Sequence, residues 1–164
     1  MQKPAAFPAP FDRHAEPVRP DWIDYNGHMN VAYYVLAFDN ATDTFFEAMD
    51  FGAVWRRRTN CSFFAVEGHV RYLGELKLGE TIAVSTHLVA ADAKRIHYFH
   101  TMRNAATGAV AATVEFLSLH VDMASRRAVP FRPDDRQRID AFARAHAGMP
   151  VPEAVGRRIA MPPL

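Results

Sequence analysis

Proline placement is the feature that most constrains what this chain can fold into. Of its 11 prolines, five fall within residues 1–20 and six within 130–164, and none lies between Asp21 and Val129. Proline lacks the backbone N–H and is excluded from helix interiors and central strands. Regular structure is therefore expected in the proline-free stretch. The ends read as tails over 1–16 and 149–164, flanking one domain over 17–148, with Val151–Leu164 extended and loosely held. A length of 164 residues suits one domain with a real core.

Inside that stretch one helix stands out. From Asn30 to Met49 the apolar residues Val31, Tyr34, Val35, Phe38, Ala41, Phe45 and Met49 recur at helical spacing. Ala32, Tyr33, Leu36, Ala37 and Phe46 widen the stripe, so the helix is expected to be buried on most faces. Gly27 and Asn30 mark its start and Phe51-Gly52 its end. The remainder reads as strands: Ser62–Tyr72, Thr81–Ala90, Lys94–Arg103 and Ala109–Val121, separated by turns at Gly79-Glu80, Ala91–Ala93 and Asn104–Gly108. A short edge strand is expected at Arg126–Pro130 and a charged surface helix at Asp134–Ala147. One long apolar helix before a meander of strands gives an α+β fold, a curved antiparallel sheet wrapped around the helix. Its open edges predict a dimer joined along an edge.

Composition narrows the function. The net charge of +1 lacks the basic surplus that nucleic-acid binding needs. Cys61 is the single cysteine, which excludes an intramolecular disulfide and a zinc site built on thiolates. No run approaches the roughly 18 apolar residues of a membrane span, and Met1–Pro10 lacks the charged and apolar regions of a signal peptide, so a cytoplasmic location is expected.

The densest polar cluster is Asp21-Trp22-Ile23-Asp24-Tyr25-Asn26-Gly27-His28-Met29-Asn30, immediately before the long helix. A helix start offers unpaired N–H groups and partial positive charge, which polarise a carbonyl oxygen. Gly27 admits close backbone approach, and Asp24 stands where a nucleophile or general base would stand. Donors and a carboxylate around one point suit acyl transfer, although Asp, Asn and Gly are also what helix capping alone requires.

Asp24-Tyr25-Asn26-Gly27-His28-Met29-Asn30, running on into Ala32-Tyr33-Tyr34, resembles the hotdog-fold thioesterases of the 4-hydroxybenzoyl-CoA thioesterase-like superfamily. Their hallmark is an Asp a few residues before Gly-His-x-Asn at the start of the central helix. The resemblance spans about Pro17 to Pro130. It extends to the betainyl-CoA thioesterase branch associated with carnitine breakdown, through Trp22–Met29, His69 with Leu73-Gly74-Glu75, Lys94–His97 with Phe99-His100, and Leu119–Asp122. It implies a hydrolase of small acyl-CoA thioesters with no separate cofactor, coenzyme A being part of the substrate. Asp24 would attack the thioester or activate a water, and the backbone N–H groups near His28–Asn30 would hold the carbonyl oxygen. Asn30 would cap the helix or orient the water, and His28 would position Asp24 or line the pocket. Asn26 stands where parts of the superfamily carry Gln or Asp, which leaves its role open. Pantetheine held between subunits implies a homodimer or a dimer-of-dimers tetramer.

Glu67 is a second catalytic candidate, a carboxylate in the apolar run Phe63-Phe64-Ala65-Val66 that needs a partner or a pocket, or else lies exposed at an edge. Gly27, Met29, Trp22, Tyr25, Tyr33 and Phe64 are expected at the substrate. An aromatic cage for a trimethylammonium group, drawn from Trp22, Tyr25, Tyr33, Tyr34, Phe63 and Phe64 with Glu67 as counter-charge, would serve a betainyl substrate. Lys94 and Arg95 open a strand after a turn, a position for CoA phosphates. Arg56-Arg57-Arg58 reads as solvated surface. Eight histidines suggest a metal, but His97 and His100, three apart on a strand, point to opposite faces, and no metal site is expected. A hotdog enoyl-CoA hydratase is disfavoured, because Asp24 and His28 are four apart where that motif needs five. A non-catalytic acyl-CoA-binding protein of this fold is the other alternative.

Overall fold

The computed structural model describes residues 7–161. Helix α1 (Val31–Ala48) lies against an antiparallel sheet of β1 (Phe11–Pro17), β2 (Cys61–Tyr72), β3 (Thr81–Ala91), β4 (Arg95–Asn104), β5 (Val110–Asp122) and β6 (Arg127–Ala128). The order is β1-β3-β4-β5-β2, with β6 paired to β5. This is the expected α+β hotdog architecture. Its connectivity departs from a simple meander: β3, β4 and β5 are consecutive neighbours, but β2 crosses over to pair with β5 and forms one edge.

The tail expected over 1–16 is corrected in part. Residues 1–6 lie outside the described residues, but Phe11–Pro17 pairs with β3 as the opposite edge strand. Phe11 is buried, and Pro17 sits at the strand end, where no further ladder bond is required. The C-terminal segment also departs from an extended tail. Turns form at Pro152–Val155 and Ala154–Arg157, and the Gly156 N–H donates to Glu115 Oε2 at 2.8 Å. Helix α2 (Ala53–Thr59), absent from the sequence reading, holds Arg56, Arg57 and Arg58 in its last turn, and Asn60 ends it in the left-handed region at φ 52°. Helix α3 (Pro133–His146) buries Ile139, Phe142 and His146 as one inner stripe, so it docks rather than floats.

Helix α1 is buried on one side only. Tyr34, Ala37, Phe38, Ala41, Phe45 and Phe46 face inward, whereas Val31, Val35 and Leu36 are exposed. The core divides along the helix. One cluster gathers Trp22, Met29, Tyr34, Phe38 and Leu76 with Ile82 and Met102; the other gathers Phe45, Phe46, Phe51, Trp55, Tyr98 and Phe142. Half-buried Phe116 packs against both.

Between the clusters, buried His100 ties helix to sheet. Thr42 Oγ1 donates to the Phe38 carbonyl, so it accepts from His100 Nε2–H at 2.9 Å. Nδ1 then accepts from Thr86 Oγ1 at 2.8 Å. Burial holds this imidazole neutral, with its pKa lowered to about 3. His97, on the opposite face, meets Glu115 Oε1 at 2.7 Å.

Candidate active site

The loop ahead of α1 is held by backbone bonds that its sequence does not announce. Ile23 bridges Met29, and the Asp24 N–H donates to the His28 carbonyl at 3.1 Å. The Gly27 N–H returns to the Asp24 carbonyl at 3.0 Å, with Gly27 at φ +79°, where a Cβ would be strained. The Met29 N–H donates to the Leu76 carbonyl at 2.7 Å, and the Asn30 N–H to the Trp22 carbonyl at 2.9 Å.

Asp24 sits at the mouth of this loop, half-buried. Its Oδ1 accepts from the Asn26 N–H at 2.8 Å, and its Oδ2 from Asn30 Nδ2 at 3.2 Å. Asn30 also accepts the Ala32 N–H through Oδ1 at 3.0 Å. One side-chain amide thus caps the helix and orients the carboxylate. The capping residue is therefore also the one that holds the carboxylate, and Asn26 meets Asp24 through its backbone.

Other expectations are corrected here. The N–H groups of Met29 and Asn30 are spent on Leu76 and Trp22, so they cannot hold a thioester oxygen. Among the described residues, the N–H groups of His28 and Val31 have no acceptor. The His28 ring turns to Glu75, with Nε2 3.9 Å from its Oε1, rather than to Asp24. Met29 and Trp22 are core residues, Trp22 stacking on Tyr33 at 5.6 Å beneath the Arg19 guanidinium. Tyr25 is 96% exposed.

Glu67, Phe64, Lys94 and Arg95 are not brought to Asp24 within one chain. Tyr72 Oη, at the end of β2, donates to the Val31 carbonyl at 3.4 Å, next to the Asp24 loop. Glu67 lies five residues back along that strand, about 17 Å at ~3.4 Å per residue. It is exposed beside the register shift between Ala65 and Glu67. Phe64 is farther still, beneath the Arg126 guanidinium at 5.0 Å. Lys94 and Arg95 stand at the opposite end of the sheet, where Arg95 Nε donates to Asp92 Oδ2 at 2.6 Å. The pair holds the exposed Asp92 carboxyl down to about 2. Among the described residues no cluster of His, Cys, Asp or Glu is arranged to hold a metal ion. Among the described residues no helix is long and apolar enough to cross a membrane.

A helix cradled by an antiparallel sheet, with an oriented carboxylate at its N-terminus, has the architecture of the hotdog thioesterases. The family model described as "Thioesterase-like superfamily" matches residues 18–145. The chain belongs to that superfamily and is a thioester hydrolase. It is similar to the betainyl-CoA thioesterase of Pseudomonas aeruginosa, 38% identical over 90% of this chain and 93% of the relative. It is also 36% identical to the L-carnitine dehydrogenase/betainyl-CoA thioesterase of Rhizobium meliloti, over 84% of this chain and 28% of that longer protein. A Staphylococcus aureus protein solved in complex with CoA superimposes with TM-score 0.84 at 28% identity, covering 91% of this chain and 94% of that one.

Proposed function

We propose that this protein hydrolyses betainyl-CoA, or a small acyl-CoA like it, to the free acid and coenzyme A, with Asp24 as the catalytic carboxylate. The observation that carries the reading is the Asp24 carboxylate itself, fixed by the Asn26 N–H and Asn30 Nδ2 at the start of α1. Two donors restrict its rotation and leave lone pairs free to act on a carbonyl carbon or a water. The free N–H groups of His28 and Val31, at the positive end of the helix dipole, would take the developing oxyanion. As nucleophile, Asp24 would expel the CoA thiolate and form an anhydride that water cleaves; as general base, it would take a proton from the attacking water. The betainyl assignment draws on the 38% identity to a betainyl-CoA thioesterase over nearly the whole of both chains. It would place the reaction in carnitine breakdown.

The working unit would be a homodimer, or a tetramer of two such dimers. β2 is a 12-residue edge strand with Val66 exposed, and Val31, Val35 and Leu36 of α1 lie exposed with Tyr72 and Leu73. Long open edges and contiguous apolar surface call for a partner. A twofold axis through the middle of β2 would set one end of the strand beside the other end of its copy. Since the Asp24 loop adjoins the Tyr72 end, Asp24 of the partner subunit would lie near the Ser62–Ala65 end.

Asp24→Asn should lower thiol release from betainyl-CoA by about a hundredfold or more, with the fold retained by circular dichroism. Hydrolysis near the wild-type rate in that variant would remove Asp24 from the chemistry. Single-turnover hydrolysis in ¹⁸O-water reads the nucleophilic role directly when water opens the anhydride at the Asp24 carbon: the acid leaves unlabelled and the label stays on Asp24, whereas a general base delivers the label to the acid and none to Asp24.

A further inference from the structure

The Asp24 loop is held from outside as well as from within. Its Met29 N–H reaches the Leu76 carbonyl at 2.7 Å, and Leu76 belongs to residues 73–80, the connection between β2 and β3. That connection is fixed on two sides. Toward the sheet, the Leu73 and Gly74 N–H groups both donate to the Ala111 carbonyl of β5, at 2.8 and 2.9 Å. Toward the helix it meets Tyr34, a buried residue of the inner stripe of α1. Tyr34 Oη donates to the Gly74 carbonyl at 3.0 Å and accepts the Leu76 N–H at 3.1 Å. One hydroxyl therefore grips the two peptide units that flank Glu75, with its single proton and a lone pair both committed. Burial, the largest influence on it, pushes the phenol's pKa up, so the proton stays on Oη. The Tyr72 ring backs the Tyr34 ring edge-on at 5.4 Å.

The residue whose N–H Tyr34 holds is the one whose carbonyl takes Met29, and that bond decides which donors at the start of α1 are spent. The Met29 N–H goes to Leu76 and the Asn30 N–H to Trp22, while those of His28 and Val31 stay free. Met29 stands between His28, which carries one free donor, and Asn30, which orients Asp24 Oδ2. A displacement of Leu76 would move both at once. We propose that Tyr34 is a positioning residue for thioester hydrolysis: its hydroxyl clamps residues 74–76, and through the Leu76–Met29 bond the clamp sets the Asp24 carboxylate against the free N–H of His28. The assignment rests on the Asp24 reading above and extends it to a side chain that makes no hydrogen bond to Asp24. The clamp also requires a small residue at 74. A Cβ on Gly74 would lie 3.3 Å from the Val110 carbonyl oxygen and 3.6 Å from the Ala111 Cα, the backbone of a strand paired on both sides.

Tyr34→Phe keeps the ring and removes the hydroxyl, leaving the Gly74 carbonyl and the Leu76 N–H unpaired. For betainyl-CoA, kcat should fall about tenfold or more while KM stays within about twofold. Exchange of the Met29 amide hydrogen, followed by NMR, should quicken by about tenfold or more. Gly74→Ala leaves every hydrogen-bonding side chain in place and displaces the same residues, so it should lower kcat in the same way and serves if Tyr34→Phe fails to fold. Ile139→Val, in the other core cluster, lowers the melting temperature without touching the clamp and should keep the wild-type kcat. Tyr34→Phe enzyme at the wild-type kcat, or slowed with Met29 still protected, overturns the positioning role and leaves the Asp24 reading standing. So does an Ile139→Val enzyme that loses as much kcat for the same fall in melting temperature. Asp24→Asn enzyme at the wild-type rate overturns both.

Discussion

The two halves of α1 bury the same kind of stripe and present opposite faces outward. Toward the N-terminus the outer residues are Val31, Val35 and Leu36; toward the C-terminus they are Asp39, Asp43 and Glu47. Phe38 and Thr42 continue the inner stripe across the boundary without interruption. Periodicity therefore fixes where the helix sits, while the residues left over decide what approaches it. An apolar half suits another protein surface, and an acidic half suits water.

The comparison breaks most severely if the apolar half is charged. Leu36→Asp should dissociate the proposed dimer and, by separating Asp24 from the partner subunit, cost about a hundredfold or more in hydrolysis; light scattering and thiol release read the two effects together. A Leu36→Asp enzyme that stays dimeric and active would show that this face meets no partner.

Acid should loosen both halves at once, through the histidine beneath them. The folded chain holds His100 neutral down to about 3, whereas an unfolded histidine protonates near 6.5. Between those values the unfolded chain binds more protons, so stability is full above about pH 6.5 and is lost as pH falls toward 3. His87 and His146, also lowered by burial, act in the same direction. Melting temperatures across this range should fall with acid, and His100→Gln should flatten the slope.

Two smaller effects sharpen the contrast. Asn30→Ala removes the cap of the apolar half and should cost about 1 kcal/mol in urea unfolding; freeing Asp24 should also lower kcat. Asp43→Asn relieves i, i+4 repulsion in the acidic half and should raise stability by about 0.2–0.5 kcal/mol.

Much of this was legible from local pattern. α1, the strands β2 to β5 and their turns follow from periodicity and from Gly79 and Gly108, both at positive φ. Strand order was not legible, because nothing in the spacing of β2 tells it to pair with β5 across the sheet rather than with β3. β1 was hidden by the prolines around it, which an edge strand tolerates. α2 spans seven residues, too few for a period, although Trp55 and Thr59 at i, i+4 and the left-handed Asn60 bound it. At the site, Asp24 and Asn30 were readable by residue type. The fate of the Met29 and Asn30 N–H groups was not, since it depends on the Leu76 and Trp22 carbonyls.

The Thr42–His100–Thr86 bridge also supplies a spectroscopic handle. Its Nε2 proton is sealed from solvent and can exchange only when α1 lifts from the sheet. That one imidazole N–H resonance would time the opening of the helix, and its lifetime with and without bound product would report how far binding steadies α1 on the sheet.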